Sequence, residues 1–219
     1  MSLYRKRYHR DLSELKSLTK DLADHVGAAV EKSVIALTDS NVELAREIIK
    51  QDQEMDDMSQ KIENLCMVLL ALQQPMAKDL RRIIGILKIV IDLERIGDLA
   101  VDMARVTMQS QNRIQIIKLE YILRMAEIIK KMLEQSMKAL MNSDADLARR
   151  ATNWDYDIDG LYVKVRTKLL KVIIERPEAI NEGTALIMVN RQLERIGDHI
   201  CNICETIIYM VEAKREHLN

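Results

Sequence analysis

The sequence predicts an all-α protein built as two tandem three-helix bundles, the second an internal copy of the first. Three observations predict it. Six Gly, two Pro, no Phe and one Trp in 219 residues are too few for a chain rich in strands and tight turns. Apolar residues recur at three- and four-residue spacing with charges between them, the pattern of amphipathic helices. Finally, Leu93-Glu94-Arg95-Ile96-Gly97-Asp98 recurs unchanged as Leu193-Glu194-Arg195-Ile196-Gly197-Asp198, at an offset of 100. Asn41-Val42-Glu43-Leu44-Ala45-Arg46 is matched by Asp144-Ala145-Asp146-Leu147-Ala148-Arg149 at an offset of 103, and Pro75 and Pro177 differ by 102. Loop-length differences account for this small drift.

In chain order, a first helix over 7–38 carries the stripe Leu12, Leu15, Leu18, Leu22, Val26, Ala29 and Val30. It stops at the turn Thr38-Asp39-Ser40-Asn41, whose last residue is a good N-cap for a second helix over 41–73. That helix continues through Ile62, Leu65, Leu69 and Leu72 to the break at Pro75. A third helix occupies 76–109, and a polar stretch at 109–113 separates the halves. The fourth, 113–141, carries Leu119, Ile122, Met125, Ile129 and Met132 and ends at Asn142-Ser143-Asp144. The fifth, 144–175, runs to Pro177, and the sixth covers 178–214. Most are about 45 Å long, and the halves divide as 1–110 and 111–219.

Composition excludes several classes. Lys plus Arg number 33 against 34 Asp plus Glu, so the formal charge of −1 lacks the basic excess of a non-specific nucleic-acid binder. At 48% hydrophobic and 31% charged residues, the chain is no disordered polymer. The most apolar runs, 83–91 and 66–72, fall short of the about 20 residues of a membrane span. The first residues, with Arg5, Lys6, Arg7, Arg10 and Asp11, lack the apolar stretch of a signal peptide. Three cysteines, Cys66, Cys201 and Cys204, imply no disulfide framework. The expectation is a cytoplasmic protein.

The chemistry-bearing pattern is a duplicated set of carboxylates. Glu94, Asp98 and Asp102 are spaced by four, with Glu194, Asp198 and Asn202 as their copy; on the preceding helix stand Asp52 and Asp56, copied as Asp155 and Asp159. Residues four apart differ by about 40° around a helix, so each series shares a face. In an antiparallel hairpin, residues equidistant from the turn are opposite one another. Asp56 with Glu94, and Asp52 with Asp98, both average to position 75; Asp159 with Glu194, and Asp155 with Asp198, both average to 176.5. Four carboxylates per half therefore meet at one level, about 28 Å from the turn. Two like charges about 4 Å apart repel by roughly 4 kcal/mol at an effective dielectric of about 20. Protonation, basic neighbours or a cation must relieve this. Clustered oxygen donors suit Mg²⁺, Mn²⁺, Ca²⁺ or iron. Gly97 and Gly197 sit within the series, where each removes a side chain at a cost of about 1 kcal/mol in helix propensity.

Other signals are weaker. Cys201 and Cys204 form a mid-helix Cys-x-x-Cys that reads as packing, with an auxiliary thiolate contact near the second cluster as its alternative. His199 reads as a satisfied histidine rather than a ligand. Trp154 and Tyr156 read as core cover and the thirteen Met as core filling. Arg81 and Arg82 read as surface charge, with anion binding as the alternative. Di-iron bundle enzymes pair Glu with Glu-x-x-His; here Gly97 and Gly197 stand where that His would be, which counts against a carboxylate-bridged metalloenzyme.

These residues give the chain a specific resemblance. The acidic segment from Asp52 to Asp56, Ala71-Leu72-Gln73-Gln74-Pro75 followed by Asp79-Leu80-Arg81, Leu93 to Asp98 with Ala100, and Leu193 to His199 with Asn202 and Glu205 together resemble the PhoU family, over nearly the whole chain. The resemblance implies tandem three-helix bundles and a non-enzymatic role between the ATPase subunit of the phosphate ABC transporter and the sensor histidine kinase of the phosphate response. There, PhoU-like proteins restrain uptake when phosphate is plentiful. It also implies a homodimer or higher oligomer, no direct nucleic-acid contact, and membrane association only through partners. The family's paired acidic motifs hold multinuclear metal clusters, of iron or of Mn, Mg, Zn or Ca. They map onto Asp52 with Asp56, Glu94 with Asp98, Asp155 with Asp159, and Glu194 with Asp198. Asp102 stands where many relatives carry Asn, whereas Asn202 keeps that residue.

Overall fold

The computed structural model describes residues 3–73, 75–110 and 116–218. Among them it contains α1 (Leu3–Asp39), α2 (Val42–Gln73), α3 (Ala77–Gln109), α4 (Glu120–Asn142), α5 (Ala145–Thr152), α6 (Asp155–Glu175) and α7 (Ile180–Glu212), with a 3-10 turn at Pro177–Ala179. The all-α, twice-repeated architecture read from the sequence is the one observed. The helices α1, α2 and α3 form one bundle, and α4 with α5, α6 and α7 forms the other. The bundles dock through α3 against α7 and α1 against α4. The four central helices are thus covered by neighbours on both sides, while α2 and the α5–α6 arm flank them. One continuous hydrophobic core runs through both bundles, from Leu15, Leu22 and Val26 on α1 to Leu193, Ile196 and Ile200 on α7.

The repeat extends to the turns. Ser40 and Ser143 both adopt left-handed backbone, with φ of 53° and 54°. The following residues close the same loop, Asn41 N–H donating to Ala36 O and Asp144 N–H to Ala139 O. Asn41 and Asp144 then accept from the Leu44 and Leu147 amides at 3.0 and 2.9 Å, as N-caps.

Two helices differ from expectation. The fifth, expected unbroken over 144–175, is interrupted at Asn153 and Trp154, so that α5 and α6 meet at a bend. Thr152 and Asn153 are weak helix formers, and the junction is held by short-range bonds, Trp154 N–H to Ala151 O and Asp157 N–H to Trp154 O. In the first repeat Lys50 and Gln51 occupy the matching positions, and α2 runs through. The fourth helix begins at Glu120 rather than 113. Its expected start, and most of the expected break at 109–113, lie outside the described residues; Ile116 and Ile117 are non-helical and pack on the core. The boundary at 110/111 adjoins the same stretch. Trp154 packs against the core as expected, but Tyr156 is 75% exposed because it follows the bend on the outer side of α6. Met67, Met76 and Met188 are likewise exposed rather than core filling.

The bundles are tied by Lys130 to Glu31 at 2.8 Å and by Asp92 on α3, which meets His199 Nδ1 at 2.9 Å. At the hairpin end of α3 they also touch through a glycine. A Cβ on Gly85 would lie 2.3 Å from Met210 Cγ and Sδ. Gly85→Ala is therefore expected to destabilise the protein by about 1–2 kcal/mol in chemical denaturation. Combining it with Met210→Ala is expected to be clearly less than additive, because the second change removes the clashing atoms.

Candidate metal centre

The antiparallel α2–α3 and α6–α7 hairpins bring the predicted carboxylates together in both halves. In the first, Asp52 is surrounded by Asp56, Asp98 and Asp102, and Glu94 by Asp98 and Asp56. In the second, Asp155 faces Asp159, Asp198 and Glu194. Burial, then mutual repulsion, pushes the carboxyls of Asp52, Glu94 and Glu194 above the ordinary range. Burial raises Asp198 as well, with Arg191 opposing it.

The two clusters are not equivalent. Asp155 is only 7% exposed, whereas Asp52 is half-buried and Asp56 and Asp159 lie at the surface. Following the bend, Asp155 opens α6 and turns inward over Gly197, at which a Cβ would sit 2.6 Å from its Oδ1. At Gly97 a Cβ would make only ordinary contacts, with Met55 Sδ at 3.5 Å, Met55 Cε at 3.6 Å and Val26 Cγ2 at 3.8 Å. Burial pushes the Asp155 carboxyl up to about 6, with Asp159 and Asp198 adding to the shift and a hydrogen bond from Cys201 opposing it. Cys201 and Cys204 are fully buried, and burial pushes the Cys204 thiol up to about 12, so it stays protonated. The pair is thus packing, with one polar contact from Cys201 into the second cluster.

Arginines partly neutralise the acids. Arg95 holds Asp98 at 3.1 Å, Arg105 holds Asp102 at 2.8 Å, and Arg191 pairs with Glu194 Oε1. The second oxygen of Glu194 is buried with no hydrogen-bond partner. Such an atom is costly unless a cation or proton meets it. Asn202 goes elsewhere: its amide donates to Asp92 on α3 at 3.3 Å, beside His199. It belongs to the contact between bundles, and His199 is the satisfied histidine expected. Among the described residues no three His, Cys, Asp or Glu side chains converge on one point tightly enough to hold a metal ion as they stand. The donors nonetheless fit a hard or borderline cation, being oxygen-rich, crowded and short of counter-charge. Two participants escaped the sequence reading. Arg191 lies three residues before Glu194, and Glu63 adds repulsion at Glu94. Glu63 follows Asp52 by eleven residues, three helical turns on the same face, which is the signal that marks it.

The PhoU domain model matches residues 19–107 and again 122–207. The chain belongs to the PhoU family. It is 36% identical over 218 residues to a phosphate-specific transport system accessory protein PhoU homolog of Clostridium acetobutylicum, covering 98% of this chain and 99% of that one. The crystal structure of PhoU from Pseudomonas aeruginosa superposes with a TM-score of 0.88 at 34% identity, covering 94% of this chain and all of that one. That of the phosphate transport system regulatory protein PhoU from Streptococcus pneumoniae gives 0.90 at 29% identity, over 96% of this chain and all of that one. These relatives are named as accessory or regulatory proteins. No helix among the described residues is long and apolar enough to cross a membrane.

The raised carboxyls set a pH dependence. Without metal, the stability lent by a protonated Asp155 is full below its ordinary value of 3.8 and is lost as pH rises through about 6. Metal binding needs the ionised form, so the signs are opposite. Apparent metal affinity is expected to fall roughly tenfold per pH unit below about 6 in calorimetric titrations.

Proposed function

We propose that the protein is a metal-binding regulator of phosphate uptake, acting in the cytoplasm as an adaptor between the ATPase subunit of the phosphate ABC transporter and the sensor histidine kinase of the phosphate response. It restrains transport when phosphate is plentiful, without enzymatic activity, as a homodimer or higher oligomer. The observation that carries this reading is end-to-end similarity to PhoU accessory proteins, over 98% of this chain.

Asp52, Asp56, Glu94, Asp98 and Asp102 would hold metal in the first half, and Asp155, Asp159, Glu194 and Asp198 in the second; the fourfold pattern also admits Asn202 if it leaves Asp92. The ions are iron, or Mn, Mg, Zn or Ca, and they would supply positive charge that cancels repulsion across each hairpin. The chain's own contribution is to set α2 against α3 and α6 against α7 at the level where the acids oppose one another. Gly197 makes room for Asp155, and Arg95, Arg105 and Arg191 pair with Asp98, Asp102 and Glu194. Two surfaces of fixed shape then remain for partner proteins.

Affinity capture of the tagged protein from phosphate-replete cells, with mass-spectrometric identification, tests the adaptor role. Recovery of the transporter ATPase subunit or the sensor kinase supports it. Recovery of neither, with the bait abundant and other complexes intact, contradicts it.

A further inference from the structure

Near the N-terminal end of α3, the helices α1, α3, α4 and α7 frame a small cleft between the bundles. Lys16, Lys78 and Arg82 line it together with Ser143 and Met210, and among the described residues no carboxylate does. Its volume is about 100 Å³, far below the range of about 300–1,000 Å³ used by drug-sized ligands. A second hollow, lined by Ser13 among others, shares Lys16 and Arg82 with it.

Each cation is held differently. Lys16 Nζ donates to Leu140 O at 2.9 Å, Met141 O at 3.3 Å and Ser143 Oγ at 3.1 Å, fixing its charge at the C-terminus of α4. Arg82 gives one Nη to Asp79 at 3.2 Å, which orients the guanidinium and leaves further donors. Lys78 is exposed and makes no ion pair among the described residues. Lys16 and Arg82 repel each other, and burial with that repulsion lowers the Lys16 ammonium from its ordinary value. Helix polarity deepens the cost, since Lys78, Arg81 and Arg82 crowd the positive end of α3. The repeat copy carries Asn181 and Glu182 where α3 has Arg81 and Arg82, so the cations belong to this cleft and not to the repeated framework.

We propose that this cleft binds one small tetrahedral oxyanion of the phosphate class, held by Lys78 and Arg82 with Ser143 as a hydroxyl donor and Lys16 as fixed charge. The anion bridges the bundles, because Lys78 and Arg82 come from one and Ser143 from the other. The site is separate from the carboxylate clusters and stands whether or not those hold metal.

The test is calorimetric titration of the full chain with sodium phosphate at constant ionic strength, with chloride as the matched control. Expected is saturable binding of one phosphate per chain, about tenfold weaker in Lys78→Gln and in Arg82→Gln, and unchanged in Asp155→Asn. Lys78 is exposed, so its variant keeps the test valid even if Arg82→Gln folds poorly. Absence of saturable binding, equal competition by chloride, indifference to Lys78→Gln, or loss in Asp155→Asn alone each overturns the proposal.

Discussion

Gly197→Ala is expected to destabilise the protein and weaken its second carboxylate cluster, whereas Gly97→Ala, at the same place in the same six-residue motif, is expected to be neutral or stabilising. The added methyl at 197 would lie 2.6 Å from Asp155 Oδ1 and 3.1 Å from Ile158 Cδ1, both on α6. Neither side chain has room to retreat, since Ile158 is fully buried and Asp155 is pinned at the start of its helix. Overpacking of this kind costs about 1–3 kcal/mol, against a gain of up to about 1 kcal/mol from replacing a helical glycine. The net loss corresponds to a Tm lowered by roughly 3–6 °C in a chain of this size. At 97 the methyl would make an ordinary contact with Met55 at 3.5 Å, leaving only the propensity gain. Thermal melts of both variants, read with and without added divalent metal, check the contrast.

Asp155→Asn is expected to act in opposite directions with and without metal. In chelated protein it removes an ionised carboxylate from a half-desolvated position beside Asp159 and Asp198, and stability at neutral pH rises by about 1 kcal/mol after allowing for solvent screening. In metal-loaded protein it removes a ligand. Metal at about one hundred times its Kd lends about 2.7 kcal/mol per site, so the wild type, with both clusters filled, should gain roughly 10–20 °C on loading. The variant should keep only the share due to the first cluster. Differential scanning calorimetry in chelator and in metal buffer reads both effects.

The register of the clusters is legible in the sequence, because it follows from two fixed quantities, the helical period and the antiparallel hairpin. Counting residues about each turn is enough to set Asp52 near Asp98 and Asp155 near Asp198. Three features are not legible there. The bend at Asn153 and Trp154 rests on propensity differences of tenths of a kcal/mol, which tertiary packing decides. Because of it, Asp155 is buried while its copy Asp52 is not. The turning of Asn202 to Asp92 depends on how the bundles dock, and an internal repeat describes each bundle but not the contact between them. For the same reason the cationic cleft, drawn from four helices of both bundles, shows in the sequence only as a pair of surface arginines.

The central claim is that the doubled carboxylate clusters hold metal. Its most direct test is the metal content of the purified protein by elemental mass spectrometry, alongside a variant carrying Asp52→Asn, Glu94→Gln, Asp155→Asn and Glu194→Gln. The account predicts metal bound in both halves of the wild type, removable by chelator with a fall in Tm, and absent from a folded variant that is more stable in chelator than the wild type. A wild-type protein that stays metal-free after incubation with iron, Mn, Zn, Mg and Ca, with no change in Tm, would contradict it and leave a metal-free helical scaffold.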